Sequence, residues 1–266
     1  MRKCLAAVAA MLLAMGTQAQ TKTDSAAVQG LTRPATNATA PVKAKKKDWS
    51  KVTLNNRAND HFVFQTGYEG WAGSTTGIRT KGIGRFLNIY FMLDMPFKSD
   101  PRFSVGIGAG IGSSNIYFDK MEPQIAGTTS TFVFNDMSDS ATFSSRFKKF
   151  KMTEAWAEVP VEFRWVKNPE NSNKSWKAGL GIKVGTMLNA HTKGKNLQNN
   201  SGQTINAFTL KENSKRYFNT LRLAATARVG YGPFNLYAAY QINSLIKESA
   251  GPQVHPYSIG FQFSGL

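Results

Sequence analysis

The chain has 266 residues, 33 Lys and Arg against 16 Asp and Glu, a single Cys and an aromatic share of 12%. One cysteine excludes a disulfide framework and a thiolate zinc site, and three scattered histidines (61, 191 and 255) leave little for a metal cluster, so no cofactor is expected. The aromatics argue against a disordered chain despite a net charge of +17. A mean hydropathy below zero argues against a bundle of membrane-spanning helices, but not against a barrel, in which only alternate residues touch lipid.

Met1-Arg2-Lys3 is a basic start, Leu5 to Met15 is a short apolar run, and Thr17-Gln18-Ala19 has the small residues of a cleavage site. Residues 1–19 therefore read as a secretory signal peptide, too short to span a bilayer. Cys4 precedes the apolar run instead of following it, which argues against a lipid anchor. Cleavage would leave an exported chain without thiols, suited to an oxidising compartment. Residues 20–59 are rich in Thr, Ala, Lys and Asn, with Pro34, Pro41 and the run Lys43 to Lys47. They show no period of 2 or 3.6 and read as a flexible basic leader.

From residue 60 to 266 the chain alternates. Runs of roughly 8–13 residues, the length of a tilted membrane strand, start at His61, Arg85, Phe103, Trp156, Trp176, Thr220, Phe234 and Tyr257. One parity of these runs supplies thirty-nine positions, among them Leu87, Phe91, Ile107, Val161, Leu180, Ile182, Leu223 and Leu236. None is charged, where the overall 18% charged share would place about seven. The opposite parity is small or polar. Aromatics gather at run ends: Phe97, Trp165, Trp176, Tyr231, Phe234 and Phe263 at one, Trp71, Tyr117, Trp156 and Tyr217 at the other. Two belts of this kind mark two membrane–water interfaces.

Connections alternate between long and short, from the long 113–155 to the minimal Gly232-Pro233. Membrane barrels join strands by short periplasmic turns and longer outer loops, and an even strand count returns both termini to the periplasm. The expected fold is all-β, an eight-stranded antiparallel transmembrane β-barrel with a filled polar interior. Pro160 lies inside the fourth run and predicts a local bulge. Thr131 to Phe134 and Ala207 to Leu210 are candidates for hairpins extending beyond the membrane.

Several stretches carry a family resemblance: Asn88 to Pro96, Phe103 to Gly110, Glu158-Val-Pro-Val-Glu-Phe-Arg164, Ala178 to Gly185, Ala227 to Gly232 and Gly251 to Gly260. Through them the segment 60–266 resembles the small eight-stranded outer-membrane β-barrels of Bacteroidota-type Gram-negative bacteria, sometimes called PorT-like. The resemblance implies an outer-membrane location and insertion by the BAM machinery. It fixes no activity, since function resides in sites grafted onto a fold.

The inward parity puts Glu69, Asp94, Glu158 and Glu162 with Arg164, Lys177, Lys183, Arg222 and Arg228, an ion-paired core that fills an eight-stranded interior. Glu158 and Glu162 lie about 13 Å apart along one strand face, too far for a paired-carboxylate hydrolase. The alternating glycines Gly106 to Gly112 break the dinucleotide pattern and instead leave room for Arg and Tyr side chains. No His-x-Ser pair occurs; His191, at the outer rim, is the best candidate for a base assembled from distant segments. Near the outer strand ends lie Arg85, Arg146, Lys149, Lys151, Lys193, Lys215 and Arg216, at the level of lipopolysaccharide phosphates. Basic character alone would also suit nucleic acid, but export and an uncharged stripe argue against that partner. The expectation is a non-enzymatic outer-membrane protein with a structural or interaction role. Its partners would be membrane lipid and lipopolysaccharide, with a protein partner at the outer loops. A narrow pore and a lipid A-modifying enzyme are the alternatives.

Overall fold

The computed structural model describes Asp48, residues 61–139 and residues 141–264. The expected signal peptide, and the leader apart from Asp48, lie outside the described residues. Eleven strands follow one another: β1 (Phe62–Gly73), β2 (Arg85–Pro96), β3 (Phe103–Phe118), β4 (Met121–Gln124), β5 (Val133–Asp136), β6 (Ser145–Val166), β7 (Trp176–Asn199), β8 (Thr204–Asn213), β9 (Leu221–Tyr231), β10 (Phe234–Gln241) and β11 (Val254–Ser264). Eight of them (β1, β2, β3, β6, β7, β9, β10, β11) pair antiparallel in a ring that the β6–β7 and β1–β11 contacts close. Followed pair by pair around the ring, the register returns to β1 displaced by ten residues. Such a stagger tilts the strands and leaves an interior just wide enough for side chains.

Long and short connections alternate as expected. At the short end Gly232-Pro233 joins β9 to β10 in two residues, with Gly232 at φ +58. A positive φ at the first central position suits a primed hairpin turn, and proline then supplies the negative φ that follows. At the other end β4 and β5 form a small sheet of their own. There β8 pairs with the far end of β7, so Ala207 to Leu210 does extend a hairpin.

Pro160 corrects one expectation. It is buried on the inward face, and no bulge forms around it. Ile107↔Val161 and Gly110↔Glu158 keep one register on either side, and β6 pairs with β7 straight through Pro160↔Lys183. The missing N–H interrupts the ladder locally and leaves the register intact. The bulge lies instead at Ala155/Trp156, where Leu188 of β7 has no partner across the ladder.

All thirty-nine uncharged positions face outward and none is buried; Leu180 is 68% exposed, Leu236 58% and Ile182 50%. The short-turn end carries a ring of outward aromatics in contact, including Trp176 with Tyr231, Phe234 with Phe263 and Phe103 with Phe163. The second belt differs from expectation. Trp156 and Tyr217 are buried inside, and the outward aromatics at that level are Tyr68 against Tyr257 and Tyr240 stacked on His255.

Beyond that level β3, β6 and β7 continue and their polarity inverts. Phe150 and Met152 now point inward and are buried, while Lys149 and Lys151 point outward. The enclosed residues form an apolar core with the long loops. Phe132 stacks on Tyr217 at 5.4 Å and meets Phe218 edge-on at 5.5 Å, with Ile125, Leu245 and Ile246 in the same cluster. Arg79 and Asp136 make a two-pronged ion pair that ties the β1–β2 loop to β5.

Candidate functional site

Two charged constellations stand out, one inside the barrel and one outside it. The inner one is organised around Glu158, whose side chain accepts from the Tyr90 hydroxyl. Lys183 Nζ lies 3.2 Å from Oε2 and Arg222 Nη1 3.2 Å from Oε1. Arg222 also reaches Glu69 at 3.7 Å, and Ser258 donates to Glu69. A second layer, nearer the short turns, is built on Glu162, with Arg164 Nε at 3.0 Å and Arg228 Nε at 3.2 Å. Arg164 Nη1 continues to Asp94 at 3.4 Å, and Ser104 donates to the same carboxylate oxygen. Lys177 is also buried on this face. Two layers of compensated charge thus occupy the space that eight strands enclose.

The strands make this possible by alternating glycine with long side chains. A Cβ on Gly106 would lie 2.4 Å from Arg164 Cζ, and one on Gly110 2.6 Å from Tyr90 Cδ1. Gly106→Val is therefore expected to displace the Arg164 guanidinium and to cost about 1–3 kcal/mol, read as an earlier urea midpoint of the folded band on unboiled SDS gels. Ser104, Ser258, Glu154 and Trp156 complete this interior beyond the charges read from sequence. Trp156 Nε1 donates to Glu154 at 3.2 Å, and Arg222 lies over the indole at 5.4 Å, so Trp156 divides the charged interior from the apolar core of the long-loop end.

The outer constellation lies on the outward face where β6, β7 and β8 run beyond the apolar stripe. Lys151 is directly opposite Lys193, Lys193 is opposite Lys211, and Lys149 is opposite Lys195. Tyr117 extends the first row onto β3. The next row toward the stripe reads Arg85, Asn115, Thr153, His191 and Asn213 across five strands. Like charges directly across a ladder repel, and among the described residues none of these five lysines is ion-paired. Lys151 Nζ donates to Asn115 Oδ1 at 2.8 Å. Burial, with Lys193 and Lys195, pushes the Lys151 ammonium below its ordinary pKa. Burial and the charges of Lys211, Lys151 and Lys193 likewise hold His191 below its ordinary value. Arg146 stands further out, opposite Gln198. Lys215 and Arg216 do not join the rows: they sit on the β8–β9 connection, where Arg216 Nη1 reaches the Gly127 and Thr128 carbonyls at 3.4 Å.

No curated protein matches the chain. A family model described as an outer membrane protein beta-barrel domain matches residues 74–248, most of the ring. A closed ring of eight tilted strands, uncharged outside and ion-paired within, is the arrangement a bilayer demands of a β protein, and with that match the chain belongs to the outer-membrane β-barrel domain family.

Proposed function

We propose that this protein is a non-enzymatic, non-conducting outer-membrane barrel whose basic outer face meets the phosphates of lipopolysaccharide, as a structural or interaction protein of the Gram-negative envelope. In this reading the long loops face outward, both termini face the periplasm, and the signal peptide and BAM machinery deliver the chain to the membrane. The PorT-like resemblance belongs to the same reading.

The observation that carries it is the row Lys151, Lys193, Lys211. Lys151 lies six residues past Ala157, the last position of the uncharged stripe on β6, about 20 Å along the tilted strand. In this reading that height, beyond the hydrocarbon edge, meets the phosphate-bearing part of lipopolysaccharide. Three neighbouring lysines without acidic partners gain most from an external anion. The ion-paired interior and the apolar core above it favour a sealed barrel. His191 favours a non-enzymatic reading: lysines surround it, and among the described residues no carboxylate is hydrogen-bonded to it.

K151Q/K193Q/K211Q is expected to weaken binding of the detergent-solubilised protein to lipopolysaccharide. At roughly 1 kcal/mol per lysine, the loss is about a hundredfold at low salt and smaller at high salt. Bound phosphate opposes the lysine field at His191, so its pKa, followed by NMR, should rise when lipopolysaccharide is added. Equal binding by the triple variant, conductance steps in planar bilayers, or lipid A altered in mass by overexpression would each contradict the proposal.

A further inference from the structure

Beside the lysine rows, the outer end of β6 borders a cavity of about 610 Å³. It opens where β3 ends at Phe118 and leaves the first residues of β6, Ser145 to Lys149, without that neighbour, and the β1–β2 loop and the β3–β4 turn form its other walls. Five of its cations, Arg85, Lys120, Arg146, Lys148 and Lys149, have no ion pair among the described residues. A sixth, Lys81, is 3.4 Å from Asp119. The remaining acid, Glu122, accepts the Phe147 N–H at 2.8 Å and so is engaged by the β6 backbone. Burial pushes its carboxyl above the ordinary value, which reduces its opposition to an anion. Tyr117 and Phe147 supply half-buried aromatic surface among the cations.

Lys120 adds a separate observation. It takes φ +49 at the β3–β4 turn, a conformation that glycine or asparagine adopts with less strain. Strain of this kind collects where a side chain serves a binding site.

We propose that this cavity binds a phosphorylated saccharide, the phosphate-bearing sugar of a lipopolysaccharide molecule packed against the barrel. Arginine and lysine donors suit phosphate oxygens, aromatic faces suit sugar rings, and the volume falls within the range of small-ligand sites. Arg85 lies at the cavity and two residues from outward-facing Leu87, so the cavity adjoins the upper edge of the apolar stripe. The inference rests on the reading that the outer face meets lipopolysaccharide, and it adds a discrete site to the lysine rows.

The test uses the full protein in detergent and a water-soluble probe, the deacylated phosphorylated oligosaccharide of lipopolysaccharide, with the same oligosaccharide stripped of phosphate. The parent should bind the phosphorylated form saturably. K120Q/R146Q/K148Q should bind it about tenfold more weakly or worse, as should the parent with the stripped form. K151Q/K193Q/K211Q should stay within about threefold of the parent. Heat-modifiable migration checks folding, and the single variants K120Q and K148Q, both at exposed positions, replace the triple one if it does not fold. No saturable binding, equal binding by the cavity variants, or indifference to phosphate would overturn the site. If intact lipopolysaccharide still binds the parent more tightly than K151Q/K193Q/K211Q, only the cavity proposal falls. If that difference is also missing, the reading of the outer face falls with it.

Discussion

Glu158→Ala is expected to destabilise the barrel by about 3–5 kcal/mol, the loss that follows when one partner of a buried ion pair is removed. Glu158 is buried and receives Tyr90, Lys183 and Arg222 together. Without it, among the described residues, Lys183 has no carboxylate within ion-pair distance and Arg222 keeps only Glu69 at 3.7 Å. The cost comes from two stranded cations more than from the lost attraction. E158L/K183M, which removes acid and base together, should therefore be more stable than Glu158→Ala, since apolar replacement of a complete pair is often near neutral. Urea titration of the folded band on unboiled gels measures both. A double variant less stable than the single one would show that Lys183 is not stranded by losing Glu158.

Ile182→Arg is expected to cost about 2–4 kcal/mol, because Ile182 lies in the middle of the outward stripe of β7, paired with Val161 and Ala225. Ile205→Arg, on β8 beyond the stripe, should change stability by less than about 0.5 kcal/mol. The comparison separates solvent from exposure: Ile182 is 50% exposed and Ile205 59%. In water the two substitutions would be similarly benign. In a bilayer only one of them puts a guanidinium into hydrocarbon. Similar urea midpoints in lipid vesicles would contradict the membrane reading.

Much of the ring was legible because a bilayer imposes the same demand on every strand. From Phe62 to Phe263 the outward parity had to stay free of charge, and Pro160, on the inward face, leaves that signal untouched. What lay outside the hydrocarbon was harder to read. In the sequence the fourth run begins at Trp156 and the fifth ends at Leu188, whereas β6 starts at Ser145 and β7 runs to Asn199. Alternation continues through these extensions, but its sense reverses. Water replaces lipid outside and an apolar core replaces the ion pairs inside, so a search for an uncharged outward stripe stops at the boundary. The bulge at Leu188 shifts the parity of β7 at the same place. Position alone puts Trp156 and Tyr217 in a belt, because aromatics at strand ends usually lie at an interface. They turn inward because the long loops bring Phe132, Leu245 and Ile246 over the barrel mouth, a packing that no local period announces. The charged residues of the interior could be named from parity, but Glu158 as their meeting point required the register of β2, β6, β7 and β9.

The most direct test of the fold in its membrane is nitroxide accessibility along β7 in lipid vesicles, with one spin label at a time at Trp176, Ala178, Leu180, Ile182 and Val184. Oxygen partitions into hydrocarbon and a nickel chelate stays in water. Oxygen should increasingly dominate relaxation toward Leu180 and Ile182, and the chelate should gain toward Trp176. Chelate dominance at Leu180 and Ile182 would mean that the stripe faces water and that the ring does not span a bilayer.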